Sequence, residues 1–345
     1  MEPHDERHSV TPRRPGATLF AILAAACVLA GCSGDPEAEG DDGEADSEER
    51  GAGSLVARSP LTGLEIRADA PEHPVMVVKI DNTSPAEPQY GLSQADLVVE
   101  ELVEGGSTRL AALFWENTPE HVGPLRSIRA TDIGIARPLD AVLVASGGAP
   151  KTVRRITDAE IPLLRESEDP GYSRDDSRSA PYNLMGDLIE VADSLEPAEP
   201  PPPYLPFGDE ESWPGGKPAT SVTAVFSGVH TTVWRFEKGT GWVRPESLAD
   251  QGDDFVPDNL LVLRLDVGDA GYLDPAGNPV PESLFYGKGD ATLFHDGEAV
   301  EGRWAKENPE DALELTTVDG DALTVPVGHT WIELIPKDTG SLRYR

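Results

Sequence analysis

Short apolar runs recur along most of this chain, and Gly, Pro, Asp or Asn follow them. In the first half, four runs have the length and the branched apolar side chains of strands: residues 75–80, 97–104, 109–115 and 140–146. Three further stretches have helical spacing instead: residues 127–136, 150–156 and 182–195. This mixture predicts an α/β (α+β) N-terminal domain with a mixed sheet.

The second half contains strand-like runs only. They are short, and Gly, Asp and Pro interrupt them: residues 222–226, 231–236, 241–244, 260–265, 291–295, 300–304 and 330–335. No fixed-period repeat relates them, so a solenoid or a propeller is not indicated. We therefore expect a mostly β C-terminal domain to follow the α/β domain.

A short glycine-containing segment, residues 105–108, separates the predicted strands 97–104 and 109–115. This spacing predicts an antiparallel hairpin. That closure would set Glu104 opposite Arg109 and Leu102 opposite Ala111. Along the first of these strands, the period of two distributes acidic and apolar side chains over both faces.

Glu100 is the better candidate for a functional acid on that strand. Glu100 and Glu104 are two strand steps apart, roughly 13 Å at about 3.3 Å per residue, which is too far for two carboxyl groups to share a proton. A second acid would have to come from elsewhere in the chain. Glu104 with Arg109 is more simply interpreted as a cross-strand charge pair.

The N-terminus has the pattern of a lipoprotein signal. Arg13 and Arg14 precede an apolar stretch, residues 17–29, and small residues then lead to Cys32. The alternative, a transmembrane anchor, needs roughly 20 apolar residues, and this stretch is shorter. We expect export, lipidation of Cys32 and a location at the extracytoplasmic face of the cell membrane.

Composition divides the chain into five segments. Residues 33–53 are almost entirely Gly, Ala, Ser, Pro and acids, which predicts an extended tether. Prolines cluster between positions 197 and 206. The predicted segments are 1–31 (signal peptide), 32–57 (lipidated Cys32 and acidic disordered tether), 58–196 (α/β domain), 197–220 (Pro/Gly-rich linker) and 221–345 (mostly β domain).

The net charge of −34 narrows the range of partners. Phosphate contacts need a basic surface, so the charge argues against nucleic acid. The two cysteines, Cys27 and Cys32, lie in or directly after the signal, so the exported chain has no disulfide. No histidine pair has metal-ligand spacing and no acidic segment matches a calcium loop, so we predict no metal and no cofactor.

One stretch is basic against this acidic background, because residues 121–155 carry six basic side chains and two acids. Arg126 and Arg129 lie three residues apart around the predicted start of the helix 127–136, where free backbone N–H groups also favour an anion. Guanidinium groups bind carboxylate and phosphate in a bidentate manner, which makes this stretch a candidate anion site. The alternative is that these arginines pair with acids of the same chain.

Four tryptophans lie on strands predicted for the second half: Trp234, Trp242, Trp304 and Trp331. They could form a platform for carbohydrate. Aromatic residues on short strands usually belong to a core, however, and that interpretation is favoured.

Several short motifs follow one another along the chain. They include Ser59-Pro60-Leu61-Thr62-Gly63, Gly91-Leu92-Ser93-Gln94-Ala95-Asp96, Gly123-Pro124-Leu125-Arg126-Ser127-Ile128-Arg129, Arg178-Ser179-Ala180-Pro181-Tyr182-Asn183-Leu184 and Gly328-His329-Thr330-Trp331-Ile332-Glu333. In this order they resemble the YerB-like lipoproteins, the family of domain of unknown function 3048. The resemblance implies a two-domain, lipid-anchored envelope protein whose biochemical role is not established.

The polar positions that match this family lie mostly on loops and element ends of the first domain: Asn82, Glu100, Glu104, Arg109, Arg126, Ser127, Arg129, Arg178 and Asn183. Two positions depart from the family pattern. Tyr182 stands where relatives often have histidine, which removes a possible general base. Glu101 stands where the pattern is usually apolar.

Three functions are compatible with these residues, and the first is preferred. It is a non-enzymatic, membrane-anchored protein that binds an anionic envelope glycan, a peptidoglycan fragment or an envelope protein, through Asn82, Arg126, Ser127, Arg129, Arg178 and Asn183. The second is a hydrolase or transferase of envelope polymers, with Glu100 as general acid or base in a cleft with the arginines and with a raised pKa. The third is a scaffold, in which every one of these arginines is paired internally.

Overall fold

The computed structural model describes residues 57–66 and 70–345. The signal peptide, Cys32 and all but the last residue of the predicted tether lie outside the described residues. The described residues belong to one compact unit, Ser54–Arg345.

Strands dominate this unit. The first sequence region contributes β1 (Met76–Asp81), β2 (Leu97–Leu102), β3 (Thr108–Phe114), β4 (Val142–Ala145), β5 (Leu163–Arg165), β6 (Tyr172–Arg174) and β7 (Leu184–Gly186), with helices α1 (Asp132–Ala136), α2 (Pro150–Asp158) and α3 (Leu188–Asp193). The second region contributes β8 (Phe207–Gly208), β9 (Lys217–Pro218), β10 (Ser221–Val225), β11 (Thr231–Glu237), β12 (Gly241–Val243), β13 (Asn259–Leu265), β14 (Val267–Leu273), β15 (Pro279–Ser283), β16 (Gly287–His295), β17 (Glu298–Lys306), β18 (Glu314–Thr317), β19 (Val325–Pro326), β20 (Thr330–Pro336) and β21 (Ser341–Tyr344). The predicted fold class, a mixed sheet with helices followed by a mostly β region, is confirmed.

The central sheet has the strand order β18-β17-β16-β13-β20-β2-β3-β1-β4-β5, and β9 pairs with β17. Strands from both sequence regions take part, because β20 lies between β13 and β2 and runs parallel to both. A separate four-stranded antiparallel sheet has the order β12-β11-β10-β21. The junction of β2 and β20 therefore joins residues that are far apart in sequence.

Both faces of the central sheet are buried. The period of two along β2 places Leu97 and Val99 in one core cluster, which includes residues of α1 and α2. Val98 and Leu102 belong to the other cluster, which includes residues of the four-stranded sheet and of α3. Consecutive residues of β2 therefore enter different interiors, and Glu100 points to the side of the four-stranded sheet.

The predicted register of the first hairpin is wrong. Leu102 lies opposite Thr108, and Glu101, not Glu104, lies opposite Arg109. The loop is longer than expected, since the Val103 N–H donates to the carbonyl of Ser107 at 2.8 Å and the three residues Glu104–Gly106 form a 3₁₀ turn. The strand therefore ends at Leu102.

The helix predicted over 127–136 is limited to α1, which begins only at Asp132. The preceding backbone bonds to strand ends instead, as the Arg126 N–H donates to the carbonyl of Lys79 and the Ile128 N–H to that of Gly147. Arg126 and Arg129 therefore do not lie at a helix N-terminus. Similarly, the helix predicted over 182–195 is limited to α3, which follows strand β7 and is capped by Asp187.

The four tryptophans on the predicted strands of the second region are core residues, as the sequence favoured. Trp234, Trp242 and Trp331 have no exposed surface and Trp304 is 1% exposed. Trp234 and Trp331 pack edge to face, with ring centroids 5.0 Å apart. None of the four can stack on a sugar from solvent in this arrangement.

Asp96, just before β2, makes the stability of the fold depend on pH. Its buried carboxyl group accepts hydrogen bonds from the backbone N–H groups of Trp115 (2.6 Å) and Glu116 (3.1 Å). Burial outweighs these bonds and raises the pKa of Asp96 from 3.8 to about 7. The folded state thus binds this proton more tightly than the unfolded state, so the contribution to stability is present at low pH and is lost as the pH rises through about 7.

The substitution Asp96→Asn keeps an oxygen that can accept both backbone hydrogen bonds but does not titrate. We expect the difference in free energy of unfolding, variant minus native protein, to be larger at about pH 8 than at about pH 5. Denaturant titrations at both pH values measure this difference. The exposed Asp176→Asn provides the matched control, and the same pH dependence in the native and Asp96→Asn proteins would contradict the assignment.

Candidate functional site

Two carboxyl groups meet at the junction of β2 and β20. Glu100 and Glu333 are register partners on these parallel strands, and both are fully buried. Their side chains lie on the same face of the sheet, close enough for the charge of Glu100 to raise the pKa of Glu333. The second acid that Glu100 required thus comes from the last long strand of the chain.

Glu100 is held by four side-chain donors. Its Oε1 atom accepts hydrogen bonds from Asn82 Nδ2 (3.0 Å), Thr108 Oγ1 (2.7 Å) and His230 Nε2 (2.7 Å). Its Oε2 atom accepts one from Thr232 Oγ1 (2.9 Å). These donors come from four separate positions along the chain, so the tertiary fold assembles a polar cage around one carboxylate.

The two acids hold their protons differently. Burial would raise the pKa of Glu100, but hydrogen bonds from His230 and Thr108 lower it to about 2. Burial and the negative charge of Glu100 raise the pKa of Glu333 well above its usual range. At neutral pH, Glu100 is therefore ionised and Glu333 keeps its proton, as in other carboxyl pairs that cannot both ionise.

The enzyme hypothesis expected a raised pKa at Glu100, and this expectation is wrong. The raised pKa belongs to Glu333, whose Oε1 accepts a hydrogen bond from Trp234 Nε1 at 2.7 Å. The donors around Glu100 stabilise its charge and the neighbouring Glu333 takes up the proton.

A pocket of about 440 Å³ opens beside this pair. Its walls include Asn82, His230, Thr232, Arg244 and Glu246. Three of these side chains (Asn82, His230 and Thr232) hydrogen-bond to Glu100. The carboxyl pair therefore lies directly behind the pocket wall.

Arg244 is the cation of this pocket. It is half-buried, and its guanidinium carbon lies 4.3 Å from the ring centroid of Trp331 and 5.6 Å from that of Trp234. Among the described residues, no carboxylate oxygen lies within 4 Å of this guanidinium group, although the charges of Glu100 and Asp254 act on it from farther away. Its one side-chain hydrogen bond goes to Ser247 Oγ at 3.4 Å. Arg244 thus has donor capacity available to a ligand.

The three predicted binding arginines have internal partners. Arg129 pairs with Glu104, which also pairs with Arg109 at 3.1 Å. Arg126 Nε lies 3.1 Å from Asp81 Oδ2, although its Nη1 atom has no partner among the described residues. This pairing is what the scaffold hypothesis expects for Arg126 and Arg129.

Arg178 is also engaged internally, because it donates to the carbonyl oxygens of Ala86 and Pro88, the latter at 2.7 Å. Asn183 Oδ1 accepts a hydrogen bond from Arg174 at 2.6 Å. Ser127 Oγ lies 3.3 Å from Ser146 Oγ. Among the predicted ligand contacts, Asn82 alone lines the pocket, and its Nδ2 is used by Glu100 and Thr108.

Three important residues of the site were not recognised as such from the sequence: His230, Arg244 and Glu333. Glu333 had a usable signal, since it is an acid at a core position of an apolar strand. His230 and Arg244 follow or precede short strands and had no comparable signal. Only their positions around Glu100 give them a role.

In the described ranges, no group of three or more His, Cys, Asp and Glu side chains is arranged to hold a metal ion. Across the same residues, no helix combines the length and apolar character needed to span a membrane.

Comparisons with known proteins bear on this site. Residues 61–200 match the model described as "Protein of unknown function (DUF3048) N-terminal domain", and residues 222–332 match its C-terminal counterpart. A relative from Bacillus subtilis, YerB, is named as a candidate lipoprotein and is 33% identical over 128 residues, which is 36% of this chain. The alignment spans 39% of the length of YerB.

The crystal structure of Bacillus subtilis YerB has a similar fold. The TM-score is 0.68 at 22% sequence identity, and the match covers 83% of this chain and 99% of that one. At this identity the likeness concerns the fold alone.

Proposed function

Because the chain belongs to the DUF3048 family of proteins of unknown function, and a relative is named as a candidate lipoprotein, we propose that it is a lipid-anchored binding protein of the cell envelope. The lipid is carried by Cys32, and the folded unit lies on the extracytoplasmic side of the membrane. Its ligand is an anionic envelope component, such as a glycan or a peptidoglycan fragment, that enters the pocket beside Glu100 and Glu333.

The observation that carries this proposal is the unpaired Arg244 in a chain of net charge −34. Acids outnumber bases 62 to 28. Arg178 and Arg264 are also half-buried without a carboxylate partner, but each donates to two backbone carbonyl oxygens. Among the described residues, Arg244 has only the bond of 3.4 Å to Ser247 Oγ. The charge of Glu100 is already compensated by four donors. A carboxylate or phosphate of the ligand would complete the coordination of Arg244.

The two tryptophans beside Arg244 support the same role. Trp331 and Trp234 are fully buried and lie against the guanidinium group, which limits the side-chain entropy that Arg244 loses on binding. A prearranged guanidinium group favours planar, bidentate recognition of an anion. Arg126, Arg129 and Arg178, by contrast, would have to exchange internal partners for the ligand.

The substitution Arg244→Gln is expected to weaken binding of a carboxylate-bearing peptidoglycan fragment by about tenfold to a hundredfold. A hydrogen bond to a charged group contributes about 1.5–3 kcal/mol, and every 1.4 kcal/mol is tenfold in Kd. Isothermal titration of the purified, detergent-solubilised protein measures the change.

Three further variants make this titration specific. Arg303→Gln removes an exposed arginine that pairs with Asp290, and should leave Kd unchanged. Glu246→Gln removes a negative charge from the same pocket and should strengthen binding. If Arg126→Gln abolishes binding while Arg244→Gln does not, the ligand site is the arginine cluster predicted from the sequence, and the pocket assignment is wrong.

A further inference from the structure

His230 is fixed in one orientation at the edge of the pocket. Its Nε2 atom lies 2.7 Å from Glu100 Oε1 and 3.0 Å from Thr108 Oγ1. The ring packs edge to face against Phe226, with centroids 5.8 Å apart, and the His230 backbone N–H donates to Ser227 Oγ at 3.2 Å. Both the ring and its backbone are therefore held in place.

The hydrogen bond to Glu100 determines which nitrogen carries the proton. A buried, ionised carboxylate can only accept, so Nε2 of His230 must donate. In the neutral imidazole, Nδ1 then has the free lone pair. The side chain is one-fifth exposed and lines the pocket, and its Nδ1 atom has no hydrogen-bond partner among the described residues.

The groups behind His230 are costly to bury. Glu100 and Glu333 lie side by side without exposed surface, and Arg244 is a third ionisable group on the same wall. Apolar residues of similar size would usually serve folding equally well or better. Buried ionisable groups that adjoin a pocket are concentrated at functional sites.

We propose that this pocket is a hydrolytic site for carboxylate-bearing esters, in which His230 is the general base and Glu100, backed by Glu333, positions it. The inference rests on the proposed function, because Arg244 would hold the free carboxylate of the substrate. Glu333 stays protonated beside Glu100, so only one of the two buried carboxyl groups carries a charge.

The reaction follows from these positions. Nδ1 of His230 accepts a proton from a water molecule while the water oxygen bonds to the ester carbonyl carbon. The bond from that carbon to the alcohol oxygen then breaks, and the imidazolium ion returns the proton to the departing alkoxide. One ester and one water molecule give one carboxylic acid and one alcohol, with no oxidant, reductant or further reactant.

The test uses a probe that carries both required groups, the mono-para-nitrophenyl ester of glutaric acid. The purified, detergent-solubilised protein should release para-nitrophenolate with saturation kinetics. Since general base catalysis contributes typically 10²–10⁴-fold, His230→Gln should lower kcat by at least about a hundredfold. His121→Gln changes an exposed histidine outside this pocket and should leave the rate unchanged.

A neutral ester tests the part played by Arg244. Para-nitrophenyl butyrate lacks the free carboxylate, so it should be hydrolysed with a higher KM than the glutarate ester. Arg244→Gln should raise KM for the glutarate ester and leave KM for the butyrate ester unchanged. Equal KM values for both esters in the native protein would contradict the proposed substrate class.

Because Glu100 acts through His230, its role needs a separate measurement. Nitrogen-15 NMR of the His230 ring should show the Nε2–H tautomer in the native protein. Glu100→Gln should give a mixture of His230 tautomers and a lower kcat. Arg303→Gln should change neither the tautomer nor kcat. A native His230 in the Nδ1–H form would overturn the proposed base even if the protein hydrolyses the ester.

These measurements distinguish failure of the catalytic inference from failure of the proposed binding function. Glutarate itself is unreactive and reports on the anion site by isothermal titration. If glutarate binds and Arg244→Gln weakens its binding, but native protein and His230→Gln hydrolyse the ester at the same rate, the catalytic inference is wrong and the proposed function stands. If neither glutarate nor the peptidoglycan fragment binds, the proposed function is wrong as well.

Discussion

Replacing Lys79 by methionine is expected to destabilise the fold by about 3–5 kcal/mol, because it leaves two buried carboxylates without their cation. Lys79 Nζ lies 2.6 Å from Glu101 Oε1 and 2.7 Å from Asp132 Oδ1. None of the three side chains has exposed surface. The triad faces the core cluster on the side of α1 and α2, opposite to the site.

The loss should depend on pH in a defined direction. Burial raises the pKa of Asp132 from 3.8 to about 6 in the native protein, although Lys79 opposes this shift. Without Lys79, the folded state should bind the proton of Asp132 still more tightly, because the charge that opposes the shift is gone. The variant should therefore be least destabilised at low pH, and its stability relative to the native protein should fall as the pH rises above about 6.

Urea unfolding of the native and Lys79→Met proteins measures both effects. The matched control is Lys217→Met, which removes an exposed lysine paired with Glu301 at 3.3 Å and should cost at most about 1 kcal/mol. Adding Glu101→Leu and Asp132→Asn to Lys79→Met should restore most of the stability, since no carboxylate then remains uncompensated. A loss below about 1 kcal/mol in Lys79→Met would show that the triad is not a buried ion cluster.

The substitution Trp331→Ala is expected to cost about 3–5 kcal/mol and to remove anion binding together with stability. Trp331 has no exposed surface and packs against Trp234 and Phe255, at centroid distances of 5.0 Å and 6.0 Å. The substitution leaves a cavity in this core and takes away the ring over which Arg244 lies.

Trp304→Ala separates the two consequences. Trp304 is equally buried, but it belongs to the core cluster on the opposite face of the sheet. Its loss should lower stability by a similar amount and leave Kd for the peptidoglycan fragment unchanged, measured at a temperature where both variants remain folded. Equal loss of binding in both variants would mean that Trp331 acts through global stability and not through Arg244.

The strands could be predicted from local pattern because a strand with one or two buried faces must place apolar side chains at every position that faces a core. All seven runs predicted in the second region overlap strands of the structure, and β13 and β20 agree with their runs to within one residue. The faces of β2 were also predicted correctly, since the period of two is a property of the extended backbone.

The helices were predicted less well, and Ser127 illustrates the reason. Its neighbours have helical spacing, but the backbone from Arg126 to Ile128 bonds to the ends of β1 and β4. Hydrogen bonds to distant strands thus replaced the local bonds of a helix. The anion site predicted for Arg126 and Arg129 depended on that helix start and stays a prediction about the arginines alone.

For Glu101 and Glu100, the sequence shows the residue type and its strand but not the residues with which each side chain interacts. Both were visible as acids on an apolar strand, and Glu101 departed from the family pattern. Their partners could not be read from the sequence, because Lys79 is 22 residues away from Glu101 and His230 is 130 residues away from Glu100. Only packing decided that one acid completes an ion triad and the other lies behind a pocket.

Residue type and local spacing were enough to predict the strands, the alternation of their faces, the buried tryptophans and the family. The tertiary structure decided the register of the first hairpin, the insertion of β20 beside β2 and the convergence of Glu100, Glu333, His230 and Arg244. Strand order is set by the burial of whole faces and by hydrogen bonds between segments far apart in the chain, and no local pattern records which segments will meet.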